Sequence, residues 1–194
     1  MSEKFPQPLD ATKEEVNKTE SVLAPEKIEN IDFAFQFKPE LEELFGGDRE
    51  LFQEYLDGIF PDSKVQDVLY HTSGAEKIEK PNVVNYNEGI QSDQYGFYMS
   101  DVPNSIYGES IHPVKINVSK GKELDALEIV LFKKGDYEEL GRESVDAVYA
   151  AREKGEGEYD YSEIVIFEED NIHVLGSEKD LEMASEFLRR KNVE

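Results

Sequence analysis

Three residue types recur in an order that could do chemistry. His71 closes the apolar run Val68-Leu-Tyr-His71-Thr-Ser73, Tyr98 lies in Tyr95-Gly-Phe-Tyr98-Met-Ser-Asp101, Tyr107 follows, and Glu163 opens Glu163-Ile-Val-Ile-Phe167. A carboxylate at the head of an apolar strand can place negative charge where positive charge develops, as on an oxocarbenium-like sugar cation. Aromatic faces can enclose a flat ring and exclude water. Each residue also has an ordinary role. A strand-end histidine can be satisfied by its neighbours, tyrosines can be core residues in a chain that holds ten of them, and a glutamate can be solvated at a strand edge.

Other chemistries find less support. Glu168-Glu-Asp170 with His173 matches neither a calcium loop nor a zinc-ligand spacing and reads as a solvated turn. No phosphate-cradling glycine loop appears, and no serine sits in a nucleophile elbow. The chain has no cysteine, which removes disulfides and thiolate ligands. Among 44 acidic residues, no glycosidase-type carboxylate pair can be singled out. His112, ahead of Pro113, and His173 both read as structural.

The elements that must position these residues follow from pattern. A chain of 194 residues suffices for one domain with a sizeable core. Residues 1–30 are polar, contain three prolines and read as a flexible arm. Over residues 39–56, Leu41, Leu44, Phe45, Leu51, Phe52, Tyr55 and Leu56 recur at helical spacing. Two short helices are expected there, broken at Gly46-Gly47, with Asp48 as N-cap of the second. Strands are predicted over residues 67–72, 96–100, 113–118, 128–132, 145–150, 163–168 and 172–175, with 155–161 as a loop. Leu181, Ala184, Phe187 and Leu188 fall on one face of a terminal helix over 178–191. The expectation is an α+β domain over residues 31–194, with a helical cap over 38–57 and a core over 65–176.

The net charge of −23 is spread widely, and an acidic surface repels nucleic acid and anionic membranes at long range. Lys115, Lys120, Lys122, Lys133 and Lys134 could still form a local basic groove. Neither a secretory signal nor an apolar run long enough for a membrane span is visible, so a cytoplasmic setting is expected, by synthesis there or by delivery into a target cell.

The ordered set of His71, Tyr98, Tyr107 and Glu163 resembles the His-Tyr-Glu signature of ADP-ribosyltransferases of the diphtheria-toxin and poly(ADP-ribose) polymerase branch. The resemblance spans about residues 65–176 and is strongest at its ends, in Tyr70-His71 and in the stretch from Tyr161 to Ile172. It is also similar to ADP-ribosyltransferase modules of phage and mobile-element polyproteins, through the lead-in Ile59-Phe-Pro-Asp-Ser-Lys-Val65. The resemblance implies a split antiparallel β core. It implies NAD as substrate, no metal, and mono-ADP-ribosylation of a macromolecular acceptor, protein rather than nucleic acid given the acidic surface. A toxin, phage or defence-type effector is the implied setting, which leaves room for an antitoxin or immunity partner.

By the same resemblance, His71 would hold the adenosine-side ribose, Tyr98 would stack on nicotinamide and Tyr107 would enclose it. Glu163 would stabilise the ribose cation, and Thr72, Ser73 and Ser105 would contact the carboxamide or ribose. The family carries glycine directly after the histidine, where this chain has Thr72, with Gly74 coming late. A strand-like backbone at Thr72 would preserve main-chain hydrogen bonds, whereas a need for positive φ would weaken NAD binding. Tyr161, two residues before Glu163, does not suggest arginine as acceptor. The rival readings are a catalytically silent NAD- or ADP-ribose-binding module, an NAD hydrolase, and an acidic protein that mimics nucleic acid.

Overall fold

The structure, a computed structural model, describes residues 25–83, 96–103, 108–125, 128–129, 134–140, 145–154 and 158–192. Three helices come first: α1 (Pro25–Phe37), α2 (Pro39–Phe45) and α3 (Arg49–Gly58). α1 begins inside the segment read as an arm, so residues 25–30 are helical. Its buried positions Ile31, Ala34 and Phe35 lie just past that polar stretch, which hid their spacing. Pro39 opens α2, and Gly46 ends it in the left-handed region at φ 61°. Asp48 caps α3 as expected, accepting the Leu51 amide at 2.9 Å.

Two sheets follow. β1 (Leu69–Ser73), β3 (Ser110–Ile116) and β7 (Ile172–Val174) form one, in the order β1-β3-β7. β2 (Phe97–Met99), β6 (Glu158–Ile166), β5 (Ala147–Lys154) and β4 (Gly121–Leu124) form the other, in the order β2-β6-β5-β4. The expected α+β class holds. The antiparallel expectation needs one correction, because β4 and β5 run parallel. The intervening segment includes the helix α4 (Lys134–Leu140), and a parallel pair needs such a long crossover.

Two further corrections concern local pattern. Residues 128–129, expected to begin a strand, are helical. Asp125 accepts the Glu128 amide at 2.8 Å while Glu128 accepts the Asp125 amide at 2.9 Å, a reciprocal cap that starts a helix in spite of the β-prone residues after it. Residues 130–132 lie outside the described residues. β6 begins at Glu158, so 158–161 are strand rather than loop, with 155–157 outside the described residues.

The layers set the environment of each candidate residue. α1, α2 and α3 pack with the terminal helix α5 (Glu178–Lys191) in a core of Ile31, Phe35, Leu41, Phe52 and Tyr55 that includes Tyr70 of β1. The opposite face of that first sheet, through Leu69, Val114 and Ile116, meets Phe97, Met99, Ile164 and Ile166 of the second. The far face of the second sheet carries Val148, Val165 and Phe167, covered by Ile129 and Leu140. β1 therefore stands between two cores. Among the described residues, no helix is long and apolar enough to cross a membrane.

Candidate functional site

β2 is a three-residue outer strand, and its seating depends on the glycine before it. Gly96 has φ 120°, and a Cβ there would lie 2.2 Å from Val165 Cγ1. With that contact made, Tyr98 pairs with Val165 and Met99 with Ile164. Paired residues point to the same face, as do residues two apart in one strand. Tyr98, Val165 and Glu163 consequently share the outer face of the second sheet.

Both chemical groups on that face are half-buried. Burial pushes the Glu163 carboxyl above its ordinary range. The Tyr98 phenol is pushed well up, first by burial and then by the negative charge of Glu163, which makes the two electrostatic neighbours. The Tyr98 hydroxyl donates to the Ile129 carbonyl oxygen at 3.4 Å, a long bond.

His71 reaches the site from the other sheet. Its Nδ1 donates to the Tyr98 carbonyl oxygen at 2.7 Å, on the free edge of β2. That bond assigns the proton to Nδ1 and leaves Nε2 as an acceptor in the neutral ring. The ring lies nearly flat on Phe97, with centroids 4.0 Å apart and planes at 26°. Burial lowers the His71 pKa, against the opposing pull of the Tyr98 carbonyl. One residue earlier, Tyr70 and Ser100 exchange backbone hydrogen bonds of 2.9 and 3.0 Å and join the sheets.

Thr72 pairs with Ile111 within β1. Phe60 is the only non-glycine with positive φ among the described residues, so Thr72 has ordinary strand backbone. The sequence departure from glycine is thus accommodated without strain. The Ser73 hydroxyl oxygen accepts the Ala75 amide at 3.0 Å and is committed to its own turn. Tyr107 and Ser105 lie outside the described residues.

One sequence reading changes and another holds. Lys115 is fully buried and its ammonium donates to the Gln66 carbonyl oxygen, so it adds nothing to a basic groove; Lys133 lies outside the described residues. His173 donates from Nε2 to Asp180 at 2.6 Å, in a buried cluster where Tyr55 also donates to Asp180 at 2.5 Å. His173 is therefore structural, as expected. The predicted strand opens at Gly96, but its need for positive φ escaped the sequence reading, as did Gly108, whose need arises only from its contact with Ser73.

The arrangement puts a poorly solvated carboxylate beside an aromatic ring, with an imidazole acceptor tied to the backbone of that ring. Such a set can bind hydroxyls and oppose a developing cation. Comparison with known proteins gives no match: no family model, curated protein or solved structure aligns with the chain.

Proposed function

We propose that this chain is a mono-ADP-ribosyltransferase that cleaves NAD at the nicotinamide–ribose bond and passes ADP-ribose to a macromolecular acceptor. The observation that carries the reading is the placement of Tyr98 and Glu163 on one sheet face with His71 bonded to the Tyr98 carbonyl. The order of these residues along the chain, His71, Tyr98, Glu163, is the order the resemblance requires.

In this reading NAD crosses the edge of β2, from His71 on one side to the face that holds Tyr98 and Glu163 on the other. The His71 Nε2 accepts a ribose hydroxyl, and Tyr98 offers its ring to the nicotinamide. As the glycosidic bond breaks, its electron pair leaves with nicotinamide, which departs neutral, and the ribose becomes cationic. The Glu163 carboxylate, accepting the ribose 2′-hydroxyl, stabilises that cation. An acceptor nucleophile then bonds to the anomeric carbon and loses its proton. No metal enters the scheme. The acidic surface, at net −23, favours a protein acceptor over nucleic acid and suits an effector acting in a cytoplasm.

The test is nicotinamide release from NAD by the full chain, with and without cell lysate, beside Glu163→Gln. Release that the variant loses supports the enzyme, and label appearing on lysate proteins supports transfer rather than hydrolysis. Saturable NAD binding with no release in either condition would instead make the chain a binding module.

A further inference from the structure

β3 places a histidine where a core strand ordinarily carries an aliphatic residue. Ser110, His112, Val114 and Ile116 share one face, and the last two fill the core between the sheets. His112 is 1% exposed, yet its Nδ1 has no hydrogen-bond partner among the described residues. An unpaired buried ring nitrogen is a cost that valine or leucine would avoid.

The other ring nitrogen supplies the compensation. Nε2 donates to the Ala75 carbonyl oxygen at 2.9 Å. Ala75 belongs to the turn that leaves β1 just after His71, and Ser73 closes that turn by accepting the Ala75 amide. Gly108 supports the same turn from another side, since a Cβ there would stand 2.3 Å from the Ser73 carbonyl carbon and oxygen. His112 also lies directly across from His71 in the strand register, with ring centroids 6.3 Å apart.

We propose that His112 is a positioning residue: its bond to Ala75 sets the 73–75 turn and thereby the ligand-facing end of β1, without touching the ligand. The part of this concerning NAD rests on the function proposed above, whereas the part concerning the turn stands apart from it.

The experiment compares the full chain with His112→Leu, His112→Val and His112→Gln, the last of which keeps a donor. Amide hydrogen exchange at residues 73–77 reads the turn, and KM against kcat for NAD reads the site. The apolar variants should speed exchange at 73–77 by about tenfold or more. They should raise KM about tenfold while kcat stays within about twofold, and His112→Gln should recover much of both. In the unaltered chain, nitrogen NMR should show His112 protonated at Nε2, with a slowly exchanging proton. Unchanged exchange in an apolar variant, or a ring protonated at Nδ1, overturns the proposal. If the apolar variants do not fold, the ring tautomer decides it. If the unaltered chain binds no NAD, the site reading fails while exchange and tautomer still judge the turn.

Discussion

His71 donates its Nδ1 hydrogen to the carbonyl oxygen of Tyr98 across 2.7 Å, bonding a side chain of one sheet to the backbone of the other. Tyr98 in turn lies on the face that holds Glu163. The spacing between the imidazole and the carboxylate is thus set by a short chain of contacts through β2 rather than by a flexible loop.

Replacing Glu163 by glutamine should lower nicotinamide release by about 100-fold or more, with NAD affinity little changed. The same variant should melt no lower than the unaltered chain at neutral pH. Burial raises the Glu163 pKa, so its folded form is most favourable below the unfolded value of 4.5 and loses that advantage as pH rises through the folded pKa. Glutamine removes the buried charge. Calorimetry beside the release assay checks both halves.

Tyr98→Phe and Tyr98→Ala should separate ring from hydroxyl. The hydroxyl makes a 3.4 Å bond, so phenylalanine should cost no more than about 1 kcal/mol in stability. Alanine removes the face proposed for nicotinamide and should raise KM for NAD about tenfold or more. Steady-state kinetics on both variants would show whether the ring carries binding.

Acid should weaken the fold through its histidines. Burial lowers the pKa of both His71 and His112; for His112 the Ala75 carbonyl opposes that shift, while the Lys38 ammonium, and His71 once it is protonated, add to it. Their contribution is fully present above the unfolded value of 6.5 and is lost as pH falls through the folded pKa values. The melting temperature of the unaltered chain should drop between pH 7 and pH 5 more steeply than that of a His71→Asn, His112→Gln double variant.

Gly96→Ala should be costly for its size. The residue has φ 120°, and the new methyl would meet Val165 Cγ1 at 2.2 Å. A loss of about 2 kcal/mol or more in urea unfolding is expected, together with weaker NAD binding, because β2 carries Tyr98.

Asp180→Ala should destabilise by about 3 kcal/mol, because it strips His173 and Tyr55 of a shared buried acceptor. The cluster ties α3, β7 and α5 together away from Glu163, so kcat of the folded variant should stay near that of the unaltered chain. Denaturant titration and kinetics at low temperature test the separation.

Much of the architecture was legible because it depends on local spacing. The apolar runs around His71 and Glu163 are strands, the period after residue 178 is a helix, and Asp48 caps α3, since each rests on residues a few positions apart. The parallel β4–β5 pair was not legible, because β-propensity does not encode which strand a segment pairs with. Residues 128–129 misled for a different reason. The Asp125–Glu128 cap is local and was present in the sequence, but the apolar, β-branched stretch after it suggested a strand.

By itself the sequence determined the α+β class, the strands that present His71 and Glu163, and the order of candidate chemical groups, because local periodicity and turn chemistry act along the chain. Only the tertiary structure decided that Tyr98 and Glu163 share a face, that His71 is fixed by the Tyr98 carbonyl, and that Thr72 needs no glycine conformation. It alone turned His112 from an ordinary core histidine into the donor that holds Ala75. Those relationships depend on strand register and on packing between sheets, which join residues far apart in sequence and leave little trace in any short window.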